Sequence, residues 1–211
     1  FSVFNTNTSA TNVNGRFVVI STDSLKLEVL LQINTNTGYD DMGGATIVIG
    51  FNCSSLSFDS NPQANTHYVF HNFCGENYSP ATVTKPTTDK LWLNIDLPLN
   101  NSNNGTIVSG SNGWTDVATL FFDIINPNDT LKLNWLTVNP YWGIYDANNT
   151  TLWSPGTFQN LSYVINIDVT PPQLVSATLL DSAKLEILFS ESVESSSALN
   201  FSNYSINNGI Y

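Results

Sequence analysis

Basic residues are scarce in this 211-residue chain: six Lys and Arg stand against 17 Asp and Glu, a formal net charge of -11. Clustered lysines and arginines are what neutralise phosphates, so their shortage argues against nucleic acid or anionic membrane as a partner. Long apolar runs are missing too. No stretch approaches the ~18 residues of a membrane-spanning helix, and no membrane insertion is expected. The sequence opens at Phe1 without an initiator Met or a charged and apolar leader, and reads as mature or excised. Cysteine occurs only at Cys53 and Cys74. In an exported chain these most simply form one disulfide, closing a loop of roughly twenty residues and worth about 3 kcal/mol in the chain-entropy view; two free thiols are the alternative.

Helical periodicity is also absent, since no window keeps an apolar i, i+3, i+4, i+7 stripe between caps. Charged residues make up 11% of the chain, while Asn is about one residue in seven and Ser and Thr are abundant. Short polar side chains compete for backbone hydrogen bonds in helices but suit strand surfaces and turns. This composition points to an extracellular all-β protein.

Alternation with a period of two recurs throughout. "SLKLEVLLQI" puts Leu25, Leu27, Val29, Leu31 and Ile33 on one face and Lys26, Glu28 and Gln32 on the other. "LWLNIDLPL" sends Leu91, Leu93, Ile95 and Leu97 inward and Trp92, Asn94 and Asp96 outward. Further strands are expected at 16–21, 45–51, 66–73, 81–85, 117–125, 130–137 and 161–167, separated by Gly/Asn/Pro turns such as "DSNPQAN" and "NNSNNG". About nine or ten short strands of this kind predict a two-sheet sandwich of jelly-roll type.

That domain is expected to span residues 1–167. "DVTPP" follows, and its consecutive prolines predict an extended linker over 168–172. Residues 173–211 then supply strands such as "QLVSATLL" and "AKLEILFS", the start of an Ig-like sandwich that needs about seven strands.

Chemical motifs are few. His67 and His71 lie four apart in a strand context, about 13 Å and too far for one metal. "GYDDMGGATIVIG" leads into a strand and lacks the helix N-terminus that cradles phosphate. No nucleophile motif occurs, and no enzyme activity or resident cofactor is expected. Asp40, Asp41 and Asp146 are oxygen donors for a structural calcium ion, or simply solvated turn acids. Trp92, Tyr141, Trp142 and Trp153, near Asn and Asp side chains, suit stacking on a sugar, or fill the core instead.

The segments "GGATIVIGFNCSSLSF", "YVFHNFCGENYSPATVTKP", "LWLNIDLP", "GSNGWTDVATLFFDI" and "NPYWGIYDANNTTLW" resemble a cohesin-like or carbohydrate-binding-module-like β-sandwich over most of residues 15 to 165. Such modules occur in long surface proteins of Bacteroidetes and Ignavibacteria-type bacteria, many exported by the type IX route. "DVTPPQLVSATLLDSAKLEILFSESV" is similar to the opening of a bacterial Ig-like domain of the S-layer type. The resemblance implies fold and an extracellular, cell-surface setting, and no ligand-site residues are carried over from it. In that context Asp followed by Ser or Thr and an apolar residue resembles an O-glycosylation site, which singles out Ser24, Thr130 and Ser182. N-x-S/T sequons also recur, as at Asn52, Asn77 and Asn160.

Three functions are thus expected, in descending order. The first is a structural or adhesive surface module that assembles with copies of itself or with further domains of its polypeptide, by strand addition. The second is a carbohydrate-binding module holding a secreted protein to polysaccharide, and the third a cohesin-type receptor for a protein partner.

Overall fold

The computed structural model describes residues 11–23, 25–37, 40–75, 77–98, 104–110, 113–165 and 170–204. The chain divides into two compact units, Phe1–Ile167 and Asp168–Tyr211.

The first unit is a two-sheet β-sandwich. Its strands are β1 (Asn12–Thr22), β2 (Lys26–Thr35), β3 (Asp40–Phe51), β4 (Leu56–Ser57), β5 (Tyr68–Phe70), β6 (Thr82–Thr87), β7 (Lys90–Ile95), β8 (Thr106–Val108), β9 (Thr115–Ile124), β10 (Leu131–Leu136), β11 (Trp142–Asp146), β12 (Ser154–Phe158) and β13 (Leu161–Tyr163). One sheet has the order β12-β1-β2-β9-β4, with β5 also on β9. The other runs β13-β10-β3-β7-β6, with β11 and β8 also on β3. β12 pairs with β1 in parallel, Asn12 opposite Ser154 and Gly15 opposite Phe158; β1 joins β2 antiparallel.

β3 is the spine of its sheet. Along one edge β10 pairs with residues from Val48 to Phe51 and β11 with residues from Met42 to Ile47. Along the other edge β7 covers Ala45 to Gly50, and β8 covers Asp40 to Met42. Gly43 stands where the β11 end turns away, and a β-carbon there would collide with the Asp146 carbonyl.

The core is the alternation made physical. Leu27, Val29, Leu31 and Ile33 from one sheet meet Ile47, Ile49, Leu91, Leu93 and Ile95 from the other, all buried, with Phe58, Phe73 and Phe122 filling the space between. Each such side chain contributes roughly 1.5–3 kcal/mol on leaving water. Leu25 departs from the expected pattern: it precedes β2, where Asp23 accepts the Leu25 and Lys26 N–H groups in a tight turn, and it remains 68% exposed. The strand expected over 66–73 shortens to β5, because Asn65 has a left-handed backbone (φ 63°) and the His67 N–H donates to the Gln63 carbonyl in a turn.

The second unit is a hairpin, β14 (Leu174–Asp181) and β15 (Lys184–Phe189), followed by the short helix α1 (Ser195–Ala198) and a 3-10 turn, Phe201–Asn203. The Asp181 carboxylate accepts the Ala183 N–H to close the hairpin turn, and the Tyr204 hydroxyl donates to the Ala198 carbonyl. Every residue of β14 is exposed. A cavity of about 760 Å3 opens over Leu174, Leu179, Leu185, Ile187, Phe189 and Tyr204.

Replacing inward Leu93 by Ala should cost about 2–5 kcal/mol, while Asn94→Ala one position away should stay within about 0.5 kcal/mol. Chemical denaturation of the two variants would show the contrast, and equal losses would disprove the facing assigned to β7.

Candidate binding face

Residues of the seven-stranded sheet that point away from the core form its outer face. Register places Thr84, Trp92, Val48 and Leu136 in one row across four strands, because Thr84 opposes Trp92, Trp92 opposes Val48 and Val48 opposes Leu136. Val48 is only 1% exposed although it lies outside the inter-sheet core cluster. In that row it is flanked by Trp92 and Leu136. Tyr141 meets the Trp92 ring edge-on, with centroids 6.1 Å apart and planes at 87°.

Polar side chains surround the row. Thr82, Asn94 and Thr46 form the next rank on one side; Lys90, Gly50 and Asn134 form it on the other, with Lys132 beyond. An aromatic and aliphatic centre within a hydrophilic margin is the anatomy of protein-binding surfaces, whose energetic anchors are enriched in Trp and Tyr.

The outer face of the six-stranded sheet is different, because its polar groups are committed to one another. Arg16 Nε donates to Gln32 Oε1 (2.8 Å), and Gln32 Nε2 donates to Asp116 Oδ1 (2.6 Å). The Arg16 guanidinium also lies 4.2 Å from the centre of the Trp114 ring. Ser21 donates to Glu28, and Lys26 pairs with Asp123.

The four aromatics singled out by sequence separate into two pairs. Trp92 and Tyr141 stand on the outer face, half-buried. Trp153 is 3% exposed, inside the core, and so offers no ring face to a sugar. Trp142 opposes Ile47, packs edge-on against Phe158 at 5.1 Å, and donates its indole N–H to the Trp153 carbonyl (2.9 Å). Tyr141 belongs to the turn ahead of β11, where its N–H donates to the Val138 carbonyl (2.7 Å), whereas Trp142 opens the strand.

The expected disulfide does not form: Cys53 and Cys74 are both exposed free thiols. Ser55 hydrogen-bonds at Ile125, just past β9, and Asn72 at Asp116. The cysteines flank those two points, so about nine residues of extended strand, roughly 30 Å, lie between them. A disulfide needs α-carbons within about 7 Å. The Cys74 thiol instead points at the His71 carbonyl, 2.7 Å away.

His67 Nε2 lies 3.6 Å from an Asp59 oxygen, and His71 Nε2 lies 2.8 Å from the Thr119 hydroxyl. Among the described residues no three His, Cys, Asp or Glu side chains converge. Asp40 accepts hydrogen bonds from the Thr11 and Thr37 hydroxyls. Asp146 caps its own turn, accepting the N–H groups of Thr150 (2.8 Å) and Thr151 (3.0 Å). Burial works to raise the Asp146 pKa, but the Thr151 and Thr150 donors outweigh it and hold the carboxyl below its ordinary value. Of the three candidate glycosylation positions, Ser182 is an exposed turn residue, Thr130 is half-buried beside Asp129, and Ser24 lies outside the described residues.

Val48 and Leu136 were not singled out by sequence. Leu136 continues the outward set of Lys132 and Asn134, a signal that was readable; Val48 sits in the unbroken run "TIVIG", where period alone does not say that both faces are covered.

No protein-family profile matches this sequence, and no curated protein matches it either. Solved structures do. The CaCohA2 module of Clostridium acetobutylicum, in its complex with CaDoc0917, aligns with a TM-score of 0.53 at 12% identity, over 74% of this chain and 100% of that one. The seventh ScaB type I cohesin of Pseudobacteroides cellulosolvens gives 0.52 at 9% identity, over 76% and 97%. A type II cohesin domain from the cellulosome of Acetivibrio cellulolyticus gives 0.53 at 11%, over 74% and 96%. At these identities the likeness is one of fold: the chain contains a cohesin-like β-sandwich.

Both thiols should react with an aromatic disulfide reagent in the native protein, and the Cys53→Ser/Cys74→Ser variant should unfold at the same temperature as the parent. A resistant pair, or a loss near the 3 kcal/mol of a broken disulfide, would restore the bridge. Asp146, with its lowered folded pKa, contributes stability above the ordinary value of about 3.9 that is lost as pH falls through the folded one. Asp146→Asn should therefore lose less melting temperature than the parent between about pH 4 and pH 2. Parallel acid limbs would refute this.

Proposed function

We propose that this chain is a non-catalytic, extracellular protein-binding module that receives its partner on the outer face of the seven-stranded sheet. The observation that carries the reading is the Trp92–Val48–Leu136 row with Tyr141 against it, an apolar centre set among Thr, Asn and Lys side chains. The fold likeness supports the same reading, since one of the matched structures is the CaDoc0917–CaCohA2 complex, a module bound to a protein partner. Thr46, Asn94 and Asn134 add hydrogen-bonding capacity without charge, which suits a surface that must shed water.

On this reading the second unit is the beginning of an Ig-like sandwich after a Pro-Pro linker, and the module works within a longer surface protein delivered by a type IX route. Self-association and strand addition then concern the second unit rather than the first. A polysaccharide ligand is the rival for the Trp92 face, because the same aromatic pair stands beside amides and hydroxyls.

Wild-type and Trp92→Ala protein should be compared on an array of dockerin domains and on insoluble cellulose, xylan and chitin. The expected result is capture by protein domains that falls by about 30-fold on Trp92→Ala, equivalent to about 2 kcal/mol, in a variant whose melting curve shows that it is still folded at the assay temperature. Retention on a polysaccharide, lost in the variant, would move the assignment to the carbohydrate class. Binding indifferent to Trp92 would remove the face from consideration.

A further inference from the structure

The sheet face just described also specifies the chemistry of what it binds. We infer that its occupant is a protein segment carrying a carboxylate beside its apolar anchor, and that Lys132 selects for it. The inference rests on the reading of this face as the partner surface.

It starts from a census of cations. The chain has six basic residues and a net charge of -11. Arg16 is held by Gln32 and Trp114. Lys26 is paired with Asp123, and Lys184 stands 3.9 Å from Asp181. Lys85 points inward and donates to the Phe58 carbonyl (2.8 Å). Lys90 lies on the binding face but binds both oxygens of Asp89 at 3.1 Å. Lys132 remains: it is exposed, and among the described residues its ammonium group has neither a hydrogen bond nor an ion pair. The nearest opposite influence is Asp129, at the preceding turn, whose own hydroxyl and N–H donors are Ser55 and Thr130.

The distribution of acids sharpens the point. Around the Trp92 row the outward positions are Thr46, Val48, Gly50, Thr82, Thr84, Lys90, Trp92, Asn94, Lys132, Asn134 and Leu136, with no carboxylate among them; Asp41, opposite exposed Ile107, lies seven residues from Val48 at the β8 end of β3. Asp89 and Asp96 stand only at the margins. A protein rich in acid therefore keeps the middle of this face free of it and places its uncommitted cation there.

Position completes the argument. Lys132 is four residues from Leu136 on the same side of β10, about 13 Å along the strand. Gly50, in the rank between, has no side chain to block the way. A partner whose apolar group covers Trp92 and Leu136 thus reaches Lys132 with a side chain about a dozen ångströms off. Screening confines each charge to about 8 Å at physiological ionic strength, so the local cation outweighs the distant acids of the rest of the molecule. A charge at the margin of an interface acts mainly on association rate, salt dependence and choice of partner.

The test uses a displayed library of random 16-residue peptides selected on the immobilised full chain. Selected peptides should be enriched in Asp and Glu over the starting library. Their affinity should fall about five- to tenfold on Lys132→Glu, weaken with added salt, and be unchanged on Lys26→Glu, a control on the other sheet. Peptides lost on Trp92→Ala but neutral in charge, or indifferent to Lys132→Glu, would overturn the inference while leaving the face as the partner surface. Peptides indifferent to Trp92→Ala, or an empty selection, would count against both. Lys132 is exposed, and melting curves of the variants would confirm that they fold.

Discussion

The seven-stranded sheet depends on one strand being paired along both edges over most of its length. β3 takes β10 and β11 in succession on one side and β7 and β8 on the other, so four strands draw their register from a single backbone. Register with a period of two decides which side chains face inward, and a slip by one residue would exchange the faces. The hydrophobic core and the outer row of Trp92, Val48 and Leu136 are therefore two outcomes of the same set of hydrogen bonds.

Much of this was legible in the alternation of apolar and polar residues. The inward set of β2 and β7 follows the written pattern almost residue for residue, because a sheet with one dry face leaves no freedom of register. What eluded it were relations between strands. Nothing local reveals that Cys53 and Cys74 flank opposite ends of β9, since twenty residues of chain can equally fold back or traverse a sandwich. Nor does composition tell Tyr141 from Trp142, adjacent aromatics whose fates are opposite once β11 docks on β3. Val48 was hidden by its neighbours: in a run of β-branched residues, covering on a second face leaves no mark.

The two units differ in how far they satisfy their own surfaces. In the first, apolar side chains of one sheet are answered by those of the other. In the second, a two-stranded hairpin leaves Leu174, Leu179, Leu180 and Leu188 more than half exposed, and two strands alone are marginal in water. The proline-rich boundary before it marks a change in that balance as well as in sequence.

The parallel pairing of β1 with β12 has a mechanical meaning. Tension carried along the polypeptide reaches β1 at its Asn12 end and, from the other direction, reaches β12 at its Phe158 end once it has passed through β13, which is held to β10. Because the strands run in the same direction, the two pulls oppose each other along the strand axis. The hydrogen bonds between them then share the load together instead of opening one after another, as the links of an antiparallel hairpin would when its free ends are drawn apart. A module built this way resists being stretched at the very place where the chain enters it.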